Sequence, residues 1–305
     1  MIQISSLTKS YKKNQPSAVR NLSLDIDDSE IVGFAGLNGA GKTTTIRVAC
    51  GIIFPSSGRV SIDGKDIVKE KVQASKNIGW VPELPNFEPN GKAVPLLKYY
   101  AGFYGISSSD AESRAEELLK KFSIWDSRKK KLKDYSQGMK KRFAIAAAMM
   151  GDPKNFLFDE TLNGLDPEGV RDMRNLMVNL RNDGKAVFLS SHILSELENV
   201  ADRIAIISRG ELIKIIERSE LSNLGSSFIE INVQNPDDKV ESMLEPYGKV
   251  ERSGNIYYIR NLKINANEGY KINQTLVSSK YNVMSMSVKY EGLEDYFLNL
   301  VGAGK

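Results

Sequence analysis

The chain has 305 residues, 41% of them hydrophobic and 26% charged, a composition typical of a soluble globular protein with room for two domains. Its formal charge of +4 is too mild to argue for nucleic acid as a partner, and a single cysteine, Cys50, excludes an internal disulfide and suits a reducing compartment. No apolar run approaches the roughly 18–20 residues that a membrane-spanning helix needs, and Met1-Ile2-Gln3-Ile4-Ser5 lacks the basic and apolar regions of a signal peptide, so any pore is expected to come from another polypeptide.

Strands are expected around 2–7, 19–26 and 58–63, the last closed by the turn Asp63-Gly64, and together they form an antiparallel lobe. The short apolar strand Ile31-Val32-Gly33-Phe34-Ala35 leads into Gly36-Leu37-Asn38-Gly39-Ala40-Gly41-Lys42-Thr43, followed by Thr44, which fits G-x-x-x-x-G-K-[ST]. Glycines at 36, 39 and 41 let the backbone curl round phosphates without a Cβ clash. The helix that starts near Gly41 offers unpaired N–H groups and a partial positive charge, Lys42 adds a point charge, and the Thr43 hydroxyl suits Mg²⁺. Cys50 is expected to be a buried thiol behind this helix.

The segment between Glu83 and Ser136 is polar and helix-rich. Lys98-Tyr99-Tyr100-Ala101-Gly102-Phe103-Tyr104 is dense in aromatics, suited either to an interface or to the subdomain's own core. The basic run Arg128-Lys129-Lys130-Lys131, with Lys133, reads as a solvated loop or a neighbour of anionic head groups. Tyr135-Ser136-Gln137-Gly138-Met139 then opens a helix that runs through Phe143 to Met150 and ends at Gly151-Asp152-Pro153, a second helix start with bare N–H groups.

The apolar strand Phe156-Leu157-Phe158 delivers the acidic pair Asp159-Glu160, and Asp166-Pro167 caps a helix that ends near Gly184. The apolar run Ala186-Val187-Phe188-Leu189 carries Ser190-Ser191 and the chain's single histidine, His192. Strands near 31–35, 155–159, 186–190 and 203–208, separated by helices, predict a buried parallel sheet. After a polar connector at 219–227, strands at 227–233, near Val250, at 256–259 and at 283–288 with a helix over 268–277 predict a small α+β domain.

In this order the motifs resemble the nucleotide-binding subunits of ABC transporters over roughly residues 1–215. The resemblance implies an α/β fold: a phosphate-loop core with parallel sheet and flanking helices, an antiparallel β lobe, and a helical subdomain at about 84–150. A separate α+β accessory domain spans 226–305. It further implies that Gly36 through Thr44 hold ATP, that Tyr11 stacks on the adenine, and that Thr43 and Asp159 hold Mg²⁺. Glu160 would polarise the attacking water and His192 would reach the γ-phosphate. Ser136, Gln137 and Gly138 would contact the nucleotide held by an opposing subunit, identical or not, with Asp166 in the loop across that interface.

Three positions depart from the usual pattern. Glu83 stands where many relatives carry glutamine and remains a candidate Mg²⁺ or water ligand, the signature reads Tyr135-Ser136-Gln137-Gly138-Met139, and Thr161-Leu162 follows the acidic pair. Glu83 and the closing segment Gly292–Leu300 are similar to a drug- and lipid-exporting, daunorubicin-resistance-like subgroup. The expectation is therefore an ATPase subunit, cytoplasmic and peripheral on the inner face of the membrane, that drives export through a separate membrane-spanning permease. Import, a nucleotide-sensing module with vestigial hydrolysis, and a soluble ABC-type ATPase acting on ribosomes or DNA stay open as alternatives, although one cassette without sustained heptads speaks against the last.

Overall fold

The computed structural model describes residues 1–12, 15–221, 227–265, 268–290, 297 and 300. The chain divides into two compact units, Met1–Arg218 and Ser219–Lys305.

The first unit begins with β1 (Ile2–Lys9), β2 (Val19–Ile26) and β3 (Ile31–Ala35), then α1 (Lys42–Ala49), β4 (Ser57–Ile62), β5 (Lys65–Asp66), α2 (Lys71–Lys76) and β6 (Ile78–Val81). It continues with α3 (Ala93–Gly102), α4 (Ser108–Lys121), α5 (Gln137–Met149), β7 (Asn155–Asp159), α6 (Pro167–Asn182), β8 (Ala186–Ser191), α7 (Leu194–Glu198), β9 (Arg203–Ser208) and β10 (Glu211–Glu217).

Two sheets result. The antiparallel lobe has the order β2-β1-β4-β5, and in β2 Leu22, Leu24 and Ile26 point inward while the residues between them face solvent. The larger sheet has the order β10-β9-β3-β8-β7-β6, parallel from β9 through β6 with β10 antiparallel at one edge. Every residue of β3, β7 and β8 is buried, because helices or the other sheet cover both faces and only apolar runs tolerate that. The main core lies where the two sheets and α1 meet, with Ile4, Leu24, Phe34, Ile46, Val60 and Phe188 in one cluster. Strand β6 was not foreseen, since Ile78-Gly79-Trp80-Val81 is short and carries a glycine. That glycine is required there: a Cβ on Gly79 would lie 2.7 Å from the Phe156 ring on neighbouring β7.

Helices α3, α4 and α5 enclose a separate cluster built on Leu97, Leu119, Phe143 and Met150, so the 84–136 segment with α5 carries its own core. In the basic run, Arg128 stacks its guanidinium 4.1 Å from the Trp125 ring centroid, while Lys129, Lys130, Lys131 and Lys133 are exposed. Cys50 ends α1 and packs against the main core: the residue as a whole is half-buried, while burial of its thiol pushes the pKa well above the ordinary cysteine value. Among the described residues, no helix is long and apolar enough to cross a membrane.

The second unit is one antiparallel sheet of β11 (Ser227–Val233), β12 (Lys249–Ser253), β13 (Ile256–Arg260) and β14 (Val283–Tyr290) in the order β12-β13-β11-β14. Helices Asp238–Leu244 and Tyr270–Ser278 connect the strands, which makes the chain order β-α-β-β-α-β, a split βαβ arrangement. Its core joins Ile229, Ile231, Tyr257 and Ile259 from the sheet with Leu244, Ile272 and Leu276 from the helices. The expected helix over 268–277 starts at Tyr270, and the helix at 238–244 was missed because Asp238-Lys239-Val240-Glu241 reads as a polar turn. The Gly292–Leu300 closing motif falls outside the described residues, apart from Phe297 and Leu300.

Candidate functional site

Strand β3 ends at Ala35, and the chain wraps back on itself before α1 starts. Gly36 lies against β9, where a Cβ would meet the Ile207 carbonyl at 2.7 Å, and Gly41 adopts φ 111° with its Cβ position 2.4 Å from the Ala18 carbonyl. Neither position admits a side chain, so the loop is confined to one path. Helix α1 has no side-chain cap at Gly41, whereas α4, α5 and α6 are capped by Ser107, Ser136 and Asp166. Its leading N–H groups are the unpaired end of a helix, which is the arrangement an anion occupies.

This loop opens on a cavity of about 400 Å³ lined by Asn38, Gly39, Gly41, Lys42, Thr43, Thr44, Glu83, Glu160, Asn163 and His192. Lys42 donates to the carbonyls of Gly36 at 2.7 Å and Leu37 at 3.2 Å, and its ammonium ion-pairs with Glu160 Oε1 at 3.1 Å. The other carboxylate oxygen of Glu160 accepts from Asn163 Nδ2 at 2.8 Å and lies 3.2 Å from His192 Nδ1. Glu160 itself has a left-handed φ of 46°, and its N–H donates to Ser190 Oγ at 3.0 Å. Burial pushes the Glu160 pKa up, but the hydrogen bond and charge of Lys42, with His192 and Asn163, outweigh it and hold the carboxyl below its ordinary range.

Asp159 is buried one residue earlier and does not face the cavity directly. Its Oδ1 accepts from Ser190 Oγ at 2.9 Å and from Thr43 Oγ1 at 3.1 Å. Burial raises its pKa, the two hydroxyls lower it, and the neighbouring charge of Glu160 raises it again, leaving it above the usual aspartate value. Thr43 Oγ1 with a buried carboxylate alongside is a hard oxygen pair that suits Mg²⁺. Glu83 reaches the same cavity from beyond β6.

The other anticipated residues lie around this centre or away from it. Tyr11 is 59% exposed at the rim, with its hydroxyl 3.2 Å from Thr44 Oγ1 and the Lys9 ammonium 5.4 Å from its ring centroid. Leu37 is exposed and Ala40 is packed beneath the loop. Ser136, Gln137 and Gly138 are not brought to the cavity. Ser136 Oγ caps α5 by accepting from Met139 N–H, and Gly138 is open, with nothing within 4 Å of a would-be Cβ. Asp166 likewise caps α6 by accepting from Gly169 N–H at 3.0 Å.

Three residues that sequence reasoning passed over belong to the site. Ser190 bridges Asp159 and the Glu160 backbone, and Asn163 fixes the Glu160 carboxylate. Lys141 is buried on α5 and donates to the carbonyls of Thr161 and Asn163. Ser190 sits inside Ser190-Ser191-His192, which already drew notice, and Asn163 lies just ahead of Asp166 in the loop assigned to the subunit interface. Lys141 stands in the run Lys140-Lys141-Arg142, where nothing distinguishes it from solvated neighbours.

A second, larger concavity of about 630 Å³ lies beside α3, lined by Trp80, Pro82, Phe87, Tyr100, Phe103, Tyr104 and Ala144 among others. Tyr100 and Tyr104 are half-buried walls of it, whereas Tyr99 and Phe103 are exposed and pack edge to face at 5.2 Å.

Comparison with known proteins places the chain in a family. Residues 19–163 match the family model described as ABC transporter. The chain is 33% identical over 309 residues to the bacitracin transport ATP-binding protein BcrA of Bacillus licheniformis, covering 100% of this chain and 98% of that one. It is 30% identical over 308 residues to the linearmycin resistance ATP-binding protein LnrL of Bacillus subtilis, covering 99% and 98%. Among solved structures it is similar to a dimeric, post-hydrolysis state of the ATP-binding cassette MJ0796 bound to ADP and phosphate. That likeness has a TM-score of 0.66 and 25% identity, over 72% of this chain and 99% of that one.

Proposed function

This chain belongs to the ABC transporter family as an ATP-binding subunit that hydrolyses ATP to power export, and from that premise we propose how its own residues divide the work. The observation that carries the reading is the Glu160 carboxylate, fixed between Lys42, Asn163 and His192 at the mouth of an uncapped helix.

The phosphate chain of ATP seats on the N–H groups at the start of α1 and takes the Lys42 ammonium, whose present partner is Glu160. Released from Lys42, Glu160 accepts the proton of the attacking water, and His192 meets the γ-phosphate. Thr43 and Asp159 would hold Mg²⁺, which would supply charge neutralisation to the phosphates, and Glu83, which lines the same cavity, would hold a water or the ion. Tyr11 offers its exposed ring to the adenine. Most of the rate gain comes from positioning and charge stabilisation, as is general for phosphoryl transfer.

The open face of Gly138 and the capped start of α5 lie away from the chain's own cavity, which supports a site completed by a second subunit. Two copies, or this chain and a related one, close head to tail so that each nucleotide lies between Lys42 of one and Ser136 of the other. The aromatic concavity beside α3 receives a cytoplasmic helix of a membrane-spanning permease, holding the subunit peripherally at the inner membrane face. The relatives' names, one for bacitracin transport and one for linearmycin resistance, support a cargo of that kind.

Phosphate release from ATP by the purified chain tests the shared site directly. The rate per chain should rise with chain concentration and vanish when the Ser136 region is replaced. A rate that survives both dilution to monomer and that replacement would overturn the reading.

A further inference from the structure

Lys141 lies on α5, five residues beyond Ser136, and is 6% exposed. Burying an ammonium costs several kcal/mol unless its donors are satisfied. Here the hydrogen-bond acceptors are two backbone carbonyls, Thr161 at 2.9 Å and Asn163, while the Glu83 and Glu196 carboxylates act on the ammonium only through space, outside direct ion-pair contact. Both carbonyls belong to the short segment between Glu160 and the α6 cap Asp166. The Asn163 side chain in turn donates to Glu160 Oε2 at 2.8 Å. A continuous path therefore runs from the helix headed by Ser136, through Lys141 and the 161–163 segment, to the Glu160 carboxylate.

We infer that Lys141 is a positioning residue that couples α5 to Glu160 of the same chain. The inference rests on Glu160 being the group that polarises water. In the closed pair, Ser136 at the head of α5 serves the partner's nucleotide and Glu160 serves the chain's own. Lys141 then ties the two half-sites of one chain, so that movement of α5 when the partner's phosphate engages it shifts Asn163 and aligns Glu160. An apolar residue could fill the same space without the cost of a buried charge. The ammonium's several N–H groups let it hold two carbonyls at once, which an apolar residue in the same space cannot do.

Lys141→Met tests this, since methionine keeps the packed stem and removes the donors. We expect kcat to fall about 10–100-fold, the penalty for a small misplacement of a reacting group. Binding of a fluorescent ATP analogue should stay within about twofold of the parent. A double-mutant cycle with Asn163→Ala separates positioning from a bulk structural effect. If Lys141 acts through Asn163, the double variant is no more than about threefold slower than the slower single variant, because both remove one linkage. Should the methionine variant not fold, Lys141→Gln, a neutral amide that still donates, is measured instead: kcat between that of the parent and that of Asn163→Ala is expected, and a slower glutamine variant would count against the coupling.

Parent-like kcat in Lys141→Met, or fold losses in the cycle that multiply, would overturn the coupling. Glu160→Gln measured in parallel keeps the two readings apart. An inactive Glu160→Gln beside a normal Lys141→Met sinks this inference alone, and an active Glu160→Gln sinks the role of Glu160 itself.

Discussion

Lys42 and Glu160 form an ion pair across 3.1 Å, with side chains only 3% and 11% exposed. The carbonyls of Gly36 and Leu37 take further donors of the same ammonium, so Glu160 sits where a phosphate oxygen has to arrive. An incoming triphosphate must displace a carboxylate from Lys42, and the freed carboxylate is then the one beside the γ-phosphate. Glu160→Gln removes both the competing charge and the base. Turnover should fall about 10²–10⁴-fold, while ATP binds at least as tightly as to the parent. Phosphate release and nucleotide titration check the two halves, and weaker binding in the variant would contradict the displacement.

The same pair makes a pH prediction. Burial alone would raise the Glu160 pKa, yet Lys42, His192 and Asn163 lower it further than burial lifts it. With the folded value depressed, the stabilisation is fully present above the ordinary glutamate pKa of about 4.3 and is lost as pH falls through the folded value. The difference in thermal midpoint between the nucleotide-free parent and Glu160→Gln should therefore hold steady from neutral pH to about pH 5 and close at lower pH. A difference that closed on raising the pH would mean that the pair does not hold the carboxylate charged.

Asp159 behaves in the opposite sense. Its pKa is raised chiefly by burial, so the charged form is a burden on the nucleotide-free fold, present in full above the folded value and relieved as pH falls through it to the ordinary aspartate range. Asp159→Asn keeps an Oδ1 that can accept from Ser190 Oγ and Thr43 Oγ1 while shedding the charge. We expect its thermal midpoint at pH 7 to equal or exceed the parent's and its Mg²⁺-dependent hydrolysis to drop by about 10²-fold or more. A clear loss of stability would show that these hydrogen bonds need the charge.

What the chain made legible depended on whether chemistry was local. Gly36, Gly41 and Lys42 announce the phosphate loop because close backbone approach and an uncapped helix start admit few residue types, and apolar runs such as Phe156–Phe158 reveal strands buried on both faces. The antiparallel edge strand Glu211–Glu217 was hidden by its charges, tolerable at an edge, and Ile78–Val81 by its length. Which strands neighbour one another, and that Lys141 turns inward from a basic run, depend on packing between segments far apart in the chain. No local pattern encodes them. The same holds for the split βαβ order of the second unit, where the strands were legible and their sequence across the sheet was not.

Gly138 separates folding from assembly. Its backbone is not left-handed and a Cβ there meets nothing, unlike Gly41, where φ 111° and the Ala18 carbonyl forbid one. Gly138→Ala should fold as well as the parent, or about 0.5–1 kcal/mol better because alanine suits a helix. If a partner's nucleotide packs against this face, the added methyl group should still cost about tenfold or more in turnover. Thermal denaturation beside phosphate release checks this, and parent-like turnover would remove the second subunit from the site.

Phe103 offers the corresponding test for the permease. The half-buried Tyr100 and Tyr104 build the wall of the 630 Å³ concavity, and burial raises the pKa of both phenols, so changing them would disturb the helical core. Phe103 is 64% exposed and contributes its ring to the opening, so a charge placed there leaves the core intact. Interfaces draw much of their affinity from a few such aromatics packed in the partner's grooves. Phe103→Glu should leave the ATPase rate of the isolated chain within about twofold and reduce co-purification with the membrane partner by about tenfold or more, the loss expected when a hot-spot aromatic is removed. Retained co-purification would assign the concavity to the subdomain's own packing and place the permease contact elsewhere.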